Sequence, residues 1–247
     1  MSEGKQRTRD QTLLRIGAVC AILGAVVSVA AGMSFGNLTN EAGTEAVLRA
    51  IASRPSWYWP TVHLGFIVGA FLWVWAFIAL ASSLTRGVSW ALGWLGAASI
   101  IVGAAIHVAD SSISGVGLTA LVDAWKNAQA SEQASLLRVG DTLLLVLNGT
   151  WPSVHSYFHG VPFILSGLAV VLSGRYPAWL GWVGVVGGVG SLVGGVLMFL
   201  GADLGRERLF IVFAQIVSLW MVAMGALMWR HAGPPTMVSQ HQEETNE

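Results

Sequence analysis

The stretch Pro152–Gly160, PSVHSYFHG, sets His155 and His159 four residues apart at the threshold of an apolar run. On a helix, positions i and i+4 share a face, so both imidazoles can point to one place. Neutral imidazole is the commonest side-chain metal ligand, and a complete site needs further donors from elsewhere in the chain. His63 and His107 are the candidates, with Asp110 one turn beyond His107. Three or four imidazoles with one carboxylate suit zinc, iron or copper. Zinc on three histidines with a fourth position left for water would be hydrolytic. Two histidines from opposing helices could instead be the axial ligands of a haem, whose ring needs small neighbours such as Gly65, Gly69, Gly103 and Gly160. Asp110 is the candidate catalytic residue, moving protons or fixing the tautomer of a ligating imidazole, although ADSS also reads as a capped loop. Asp141 is a weaker candidate, because Arg138 lies one turn away and can pair with it on a surface helix.

The elements that must position these residues are membrane helices. Of the 247 residues, 54% are hydrophobic and only 11% charged, and the mean hydropathy is +0.65. An ordinary soluble domain carries about a quarter charged residues. Apolar runs long enough to cross a hydrocarbon core of about 30 Å recur along the chain, which reads as an all-α, polytopic membrane protein with a lipid bilayer as its first partner. A formal net charge of +0 gives no basic field, so nucleic acid is not an expected partner. Cys20 is the only cysteine and lies in the first apolar run, which excludes an internal disulfide and a CxxC metal knuckle. That run is too long for a signal-peptide core and reads as a retained helix.

Six spans are expected: Leu13–Met33, Thr61–Ser82, Trp90–Val108, Val154–Ser173, Trp179–Leu200 and Leu209–Trp229. They make one transmembrane domain over residues 1–230, with 231–247 as a polar tail. Lys5, Arg7, Arg9, Arg15, Arg86, Arg175 and Arg230 fall on one side. By the positive-inside rule that side is cytoplasmic, which places the protein in the inner or plasma membrane with both termini inside. Two long outer connections, Ser34–Pro60 and Ala109–Ser153, carry amphipathic helices. EAVLRAIAS, Glu45–Ser53, is expected on the membrane surface as a roof, beside the interfacial Trp57, Tyr58 and Trp59. Leu118–Ala130 and Ser131–Leu147 are the other two, the latter apolar enough in DTLLLVL to dip into the bilayer or pack on the bundle before Asn148, Gly149 and Pro152 break it. Asn37-Leu38-Thr39 and Asn148-Gly149-Thr150 match the glycosylation tripeptide. GWVGVVGGVGSLVGG in the fifth span is a packing surface for a neighbouring helix, within one bundle or between copies in a homo-oligomer or larger membrane complex.

This topology sets His63, His107, His155 and His159 at one depth in the outer part of the membrane. The other two of the six histidines, His231 and His241, belong to the tail. The four rings are expected to converge on one point.

The run SGRYPAWLGWVGVVGGVG, Ser173–Gly190, resembles a segment of a bacterial family of small polytopic membrane proteins of unknown function. There a span ends in a short basic turn, and proline with Leu-Gly opens the next, matching Arg175, Pro177, Leu180 and Gly181. The layout of spans and connections is also similar, and the resemblance implies no activity. HVAD, His107–Asp110, followed by HSYFH, His155–His159, is similar to the HxxxD and HxxxH pattern of the alkaline ceramidase and adiponectin-receptor superfamily. That resemblance implies zinc on three histidines and water attack on a lipid amide. Here the aspartate is at i+3 rather than i+4, the spans number six rather than seven, and HxxxH falls in the fourth span rather than the last.

Three functions follow as expectations. The first is a membrane metalloenzyme, an oxidoreductase or zinc hydrolase acting on a lipid-soluble substrate, with His63, His107, His155 and His159 as ligands. The second is a non-enzymatic haem or metal carrier or accessory subunit built on the same residues. The third is a structural membrane protein with interfacial histidines. No inverted repeat or broken mid-membrane helix points to a transporter. The orientation has a direct check: Lys126 should react with a membrane-impermeant amine reagent added to intact cells, and protection until lysis would invert the topology.

Overall fold

The computed structural model describes residues 3–35, 43–85, 87–202 and 206–233, with side chains described from Asp10 onward and, in the last helix, from Ile211. Among these residues the regular elements are all helical: α1 Glu3–Phe35, α2 Thr44–Ala52, α3 Tyr58–Ser83, α4 Gly87–Ser112, α5 Leu118–Asn127, α6 Ala130–Ser153, α7 Val161–Ser173, α8 Ala178–Phe199 and α9 Arg206–His231. Two π-helical segments, Ile113–Gly117 and Val154–Gly160, join α4 to α5 and α6 to α7. Six helical stretches are long and apolar enough to cross a membrane, so the chain is a multi-pass membrane protein.

Four of these stretches follow the sequence reading closely. The other two are far longer than expected, Gly87–Asn127 with 41 residues and Ala130–Ser173 with 44. At 1.5 Å per residue each runs about 60 Å, roughly twice the hydrocarbon thickness. The expected connection Ala109–Ser153 is therefore two helical extensions joined by a tight turn, and Asn148, Gly149 and Pro152 do not end a helix. Near the bundle a free amide or carbonyl would cost several kcal/mol in hydrocarbon, and beyond it the extensions are held by the apolar cluster they form with α2. Pro152 lacks an N–H, yet the chain stays helical and Val154 N–H reaches the carbonyls of both Thr150 and Trp151. A wide turn follows, with Val161 N–H bonded to the Ser156 carbonyl five residues back. Pro162 closes this segment as Pro152 opens it. A π bulge absorbs what a break would otherwise expose.

The spans close into a ring in chain order, α1 on α3, α3 on α4, α4 on α7, α7 on α8, α8 on α9 and α9 back on α1. Aromatic rings from three spans fill its centre. Phe163 of α7 lies 5.1 Å from Phe77 and 5.6 Å from Trp73 of α3, and 5.5 Å from Trp220 of α9. Trp220 Nε1 donates to the Leu180 carbonyl at 2.9 Å, which ties the plug to α8. The glycine series of the fifth span packs inward, as its sequence implies: Gly181, Gly184, Gly187, Gly188, Gly194 and Gly195 are buried. At the α7–α8 crossing a Cβ on Gly181 would lie 2.6 Å from the Gly167 carbonyl oxygen, so the two backbones touch.

A second, smaller core caps one end. Val47, Leu48 and Ile51 of α2 are buried with Leu118, Leu121 and Val122 of α5 and with Trp59. The apolar face of Glu45–Ser53 is thus covered by α5 and α6, which extend past the bundle and offer it a partner in place of lipid. Asp141 is also placed differently from expectation. It accepts from Thr44 Oγ1 at the start of α2, while Arg138 donates to Ser135 Oγ at 3.0 Å. Asn148-Gly149-Thr150 lies inside α6, not in the surface loop that glycosylation requires. Asn37-Leu38-Thr39, His241 and the tail from 234 lie outside the described residues.

Two glycines of opposite setting test this packing. Gly181→Val should lower the thermal midpoint in detergent by the equivalent of about 1–3 kcal/mol through overpacking. Gly149→Ala, with nothing within 4 Å of the new Cβ, should leave the midpoint unchanged or raise it. Equal losses would contradict the α7–α8 contact.

Candidate functional site

Among the described Asp, Glu, Lys, Arg and His residues, only five are buried: His63 at 3%, His107 at 7%, Asp110 at 7%, His155 at 1% and His159 at 9% exposure. They are the five that the sequence singles out. His63 lies near the start of α3 and His107 and Asp110 near the end of α4, so the antiparallel pair holds them at one end of the ring. His155 and His159 both sit in the second π segment, between α6 and α7.

Close backbone approach builds the arrangement. A Cβ on Gly103 of α4 would lie 2.1 Å from the Tyr157 carbonyl oxygen and 2.6 Å from Phe158 Cα. The π segment therefore presses its main chain onto α4, and this delivers Phe158 face-on to His107, with centroids 4.7 Å apart and planes 13° apart. Phe158 also stacks on Trp73 of α3, at 5.4 Å and 19°. His159 stands edge-on to all three rings, 4.8 Å from Phe158, 5.9 Å from Trp73 and 6.3 Å from His107.

The first π segment repeats the device beside His63. A Cβ on Gly115 would lie 2.6 Å from His63 Cβ, and the Ser114 carbonyl accepts from Trp59 Nε1 at 2.8 Å. His63 Nδ1 donates to the Trp59 carbonyl at 3.0 Å. A carbonyl can only accept, so the proton of the neutral ring is on Nδ1 and the lone pair on Nε2. Phe66 bridges the two helices, 6.0 Å from His63 and 5.9 Å from His107. Trp151 lies 5.2 Å from His155.

The histidines are therefore gathered at one end of the ring, but aromatic rings stand between them, and they do not converge on the single point expected. Among the described residues no set of three or more His, Cys, Asp and Glu side chains is arranged to hold a metal ion. Asp110 accepts from Thr150 Oγ1, which is also within 2.9 Å of the Leu147 carbonyl. It holds α4 to α6 and does not fix His107, whose buried Nδ1 has no hydrogen-bond partner among the described residues. The glycines expected to leave room for a haem are covered: Gly65 by Ala31, Gly69 by Ser28, Gly103 by Tyr157 and Gly160 by Leu192. As arranged, these residues do not fit a macrocycle.

Sequence reasoning passed over Phe66, Trp73, Phe158 and Thr150. Phe158 had a visible signal, since it lies inside HSYFH. Thr150 was hidden by its place in a glycosylation tripeptide, and nothing local marks Trp73. Besides His107 Nδ1, Trp73 Nε1 and the hydroxyls of Ser156 and Ser191 are buried without a partner among the described residues. Each such atom costs about 1–3 kcal/mol if nothing satisfies it.

Phe158→Ala should cost about 3–5 kcal/mol by opening a cavity between His107 and Trp73, read as a lowered thermal midpoint. Its neighbour Tyr157 is 48% exposed, and Tyr157→Ala should cost far less; equal losses would show that the stack does not organise this turn. No protein-family model, curated protein or solved structure matches the chain, so the reading that follows rests on the site itself.

Proposed function

We propose that the buried end of the ring is a transition-metal centre and that the protein is a metal-handling integral membrane protein. The observation that carries this reading is the burial of four histidines and one aspartate together inside an apolar bundle. Ionisable groups in a membrane are costly and mark ion, proton or ligand sites by default. Two features support a metal in particular. Stacking covers ring faces, whereas an imidazole ligates through a lone pair in the ring plane, so Phe158 can hold His107 without occupying its nitrogens. The unpartnered buried Nδ1 of His107 is a donor atom of this kind.

His107 and His159 are the first ligands, because their centroids are 6.3 Å apart with planes 78° apart. Two imidazoles on one tetrahedral ion stand roughly 5 Å apart, given metal–nitrogen bonds of about 2.0 Å, so the pair closes by about an ångström. His63, through Nε2, and His155 would join them only after rearrangement, since among the described residues no three of these side chains are placed to hold one ion. In a metalloenzyme acting on a lipid-soluble substrate, Asp110 would take a proton from the substrate or water and return it, with Thr150 Oγ1 orienting its carboxylate by a donated hydrogen bond. In a carrier or accessory subunit the same residues hold the ion and no reaction follows. The positive-inside rule puts the centre on the extracytoplasmic side of the inner or plasma membrane, because Arg15, Arg175 and Arg230 lie at the opposite end.

A structural role is the competing reading, and one observation favours it. Each of the four imidazoles has an aromatic ring within 6 Å, as a packed plug would. Metal analysis of protein purified in detergent without chelator separates the two. Near-stoichiometric zinc, copper or iron that is lost in the double variant His107→Ala, His159→Ala supports the centre. Protein with no bound metal, whose affinity for added zinc or copper is the same in the variant, overturns it. A Soret band would assign the iron to haem and contradict the covered glycines.

A further inference from the structure

The end of the ring opposite the histidines has its own ordered polar structure, which the metal reading does not use. Arg15 donates to the Gly233 carbonyl, and its guanidinium lies 5.9 Å from the centre of the Trp229 ring. Two residues beyond Trp229, His231 packs on Tyr176 at 5.0 Å. Arg175 is held by a 2.8 Å bond to the Ser83 carbonyl and by the Tyr176 ring at 5.9 Å. Tyr176 is itself buried and bonded to Ser83 Oγ at 2.9 Å. Arg15, His231 and Arg175 thus lie at the ends of α1, α9 and the α7–α8 turn, and the exposed Arg230 is the residue of α9 before His231.

Among the described side chains Asp10 is the one acid at this end, and the one ion pair, Arg49–Glu45, is at the other. Arg15 and Arg175 are oriented by backbone carbonyls and aromatic faces, which leaves donors in a planar fork suited to a phosphate. A second observation sets the depth of these side chains. Trp90, Trp94, Trp179, Trp182 and Trp229 are exposed, and all lie within about 10 Å of this end by helical rise. Exposed tryptophans mark the headgroup level of a bilayer.

We propose that these side chains form a binding site for the phosphate headgroup of anionic phospholipids in the leaflet that the tryptophans face. The ligand enters from the membrane: its acyl chains lie along the apolar outer surface of α8 and α9, and its phosphate reaches Arg15, Arg175 and Arg230. The purified full-length protein, delipidated in neutral detergent, provides the test by native mass spectrometry after adding phosphatidylglycerol or phosphatidylcholine. The expected result is preferential retention of phosphatidylglycerol, reduced about fivefold by Arg230→Gln and again by Arg15→Gln, in line with the usual contribution of one surface cation near an anionic leaflet. Arg230 is exposed, so its variant leaves the fold intact. Equal retention of the two lipids, or a preference unchanged in both variants, overturns the proposal. Loss of the preference on adding millimolar inorganic phosphate would also overturn it, assigning the site to a soluble anion.

Discussion

No amide can be left unbonded in hydrocarbon, and the architecture follows from that constraint. Pro152 and Pro162 each remove a donor, and glycines recur in most spans, yet the chain keeps a helical ladder from Ala130 to Ser173. The ladder survives by widening at Val154–Gly160. That wide turn brings His155 and His159 to the ring and sets main chain against Gly103. The same adjustment at Ile113–Gly117 sets Gly115 against His63. Both irregularities therefore fall where ionisable residues are buried, a common association for π bulges.

Once the ladder is fixed, small residues and aromatics divide the packing. Glycines let helix backbones touch at crossings such as Gly167 and Gly181, since apolar lipid gives helices no hydrophobic reason to associate. The space left at the centre is filled by Trp73, Phe77, Phe163 and Trp220. This plug continues without interruption through Phe158 to His107, so the histidine end of the ring is packed as an extension of the core. The cap of α2, α5 and α6 closes the end above it through a separate cluster.

How far the sequence discloses this depends on range. α1, α3, α8 and α9 are legible because each is an apolar run bounded by polar residues, and the gathering of the histidines at one end of the ring follows from alternating span direction. The continuity of α4 into α5 and of α6 into α7 is not legible, because Asn148, Gly149 and Pro152 carry the local signals of a helix end and the contrary force is the solvent. That α5 and α6 cover the apolar face of Glu45–Ser53 is hidden for a related reason. An amphipathic pattern states that one face is covered, not whether lipid or another helix covers it. The interleaving of Phe66, Trp73 and Phe158 with the imidazoles depends on rotations and close approaches between spans distant in sequence, and spacing cannot encode it. Asp110 illustrates the limit: the sequence sets it just past the expected end of a span, and neither its burial nor its partner Thr150 of α6, forty positions away, is readable there.

The central claim is that buried imidazoles, held by their faces, offer in-plane nitrogens to one metal ion. X-ray absorption at the metal edge of the purified protein addresses it most directly. The account predicts a first shell of nitrogen at about 2.0–2.1 Å for zinc, with the outer-shell scattering of at least two imidazoles that disappears in the His107→Ala, His159→Ala variant. A first shell of oxygen alone, or an imidazole signal unchanged in that variant, would contradict it.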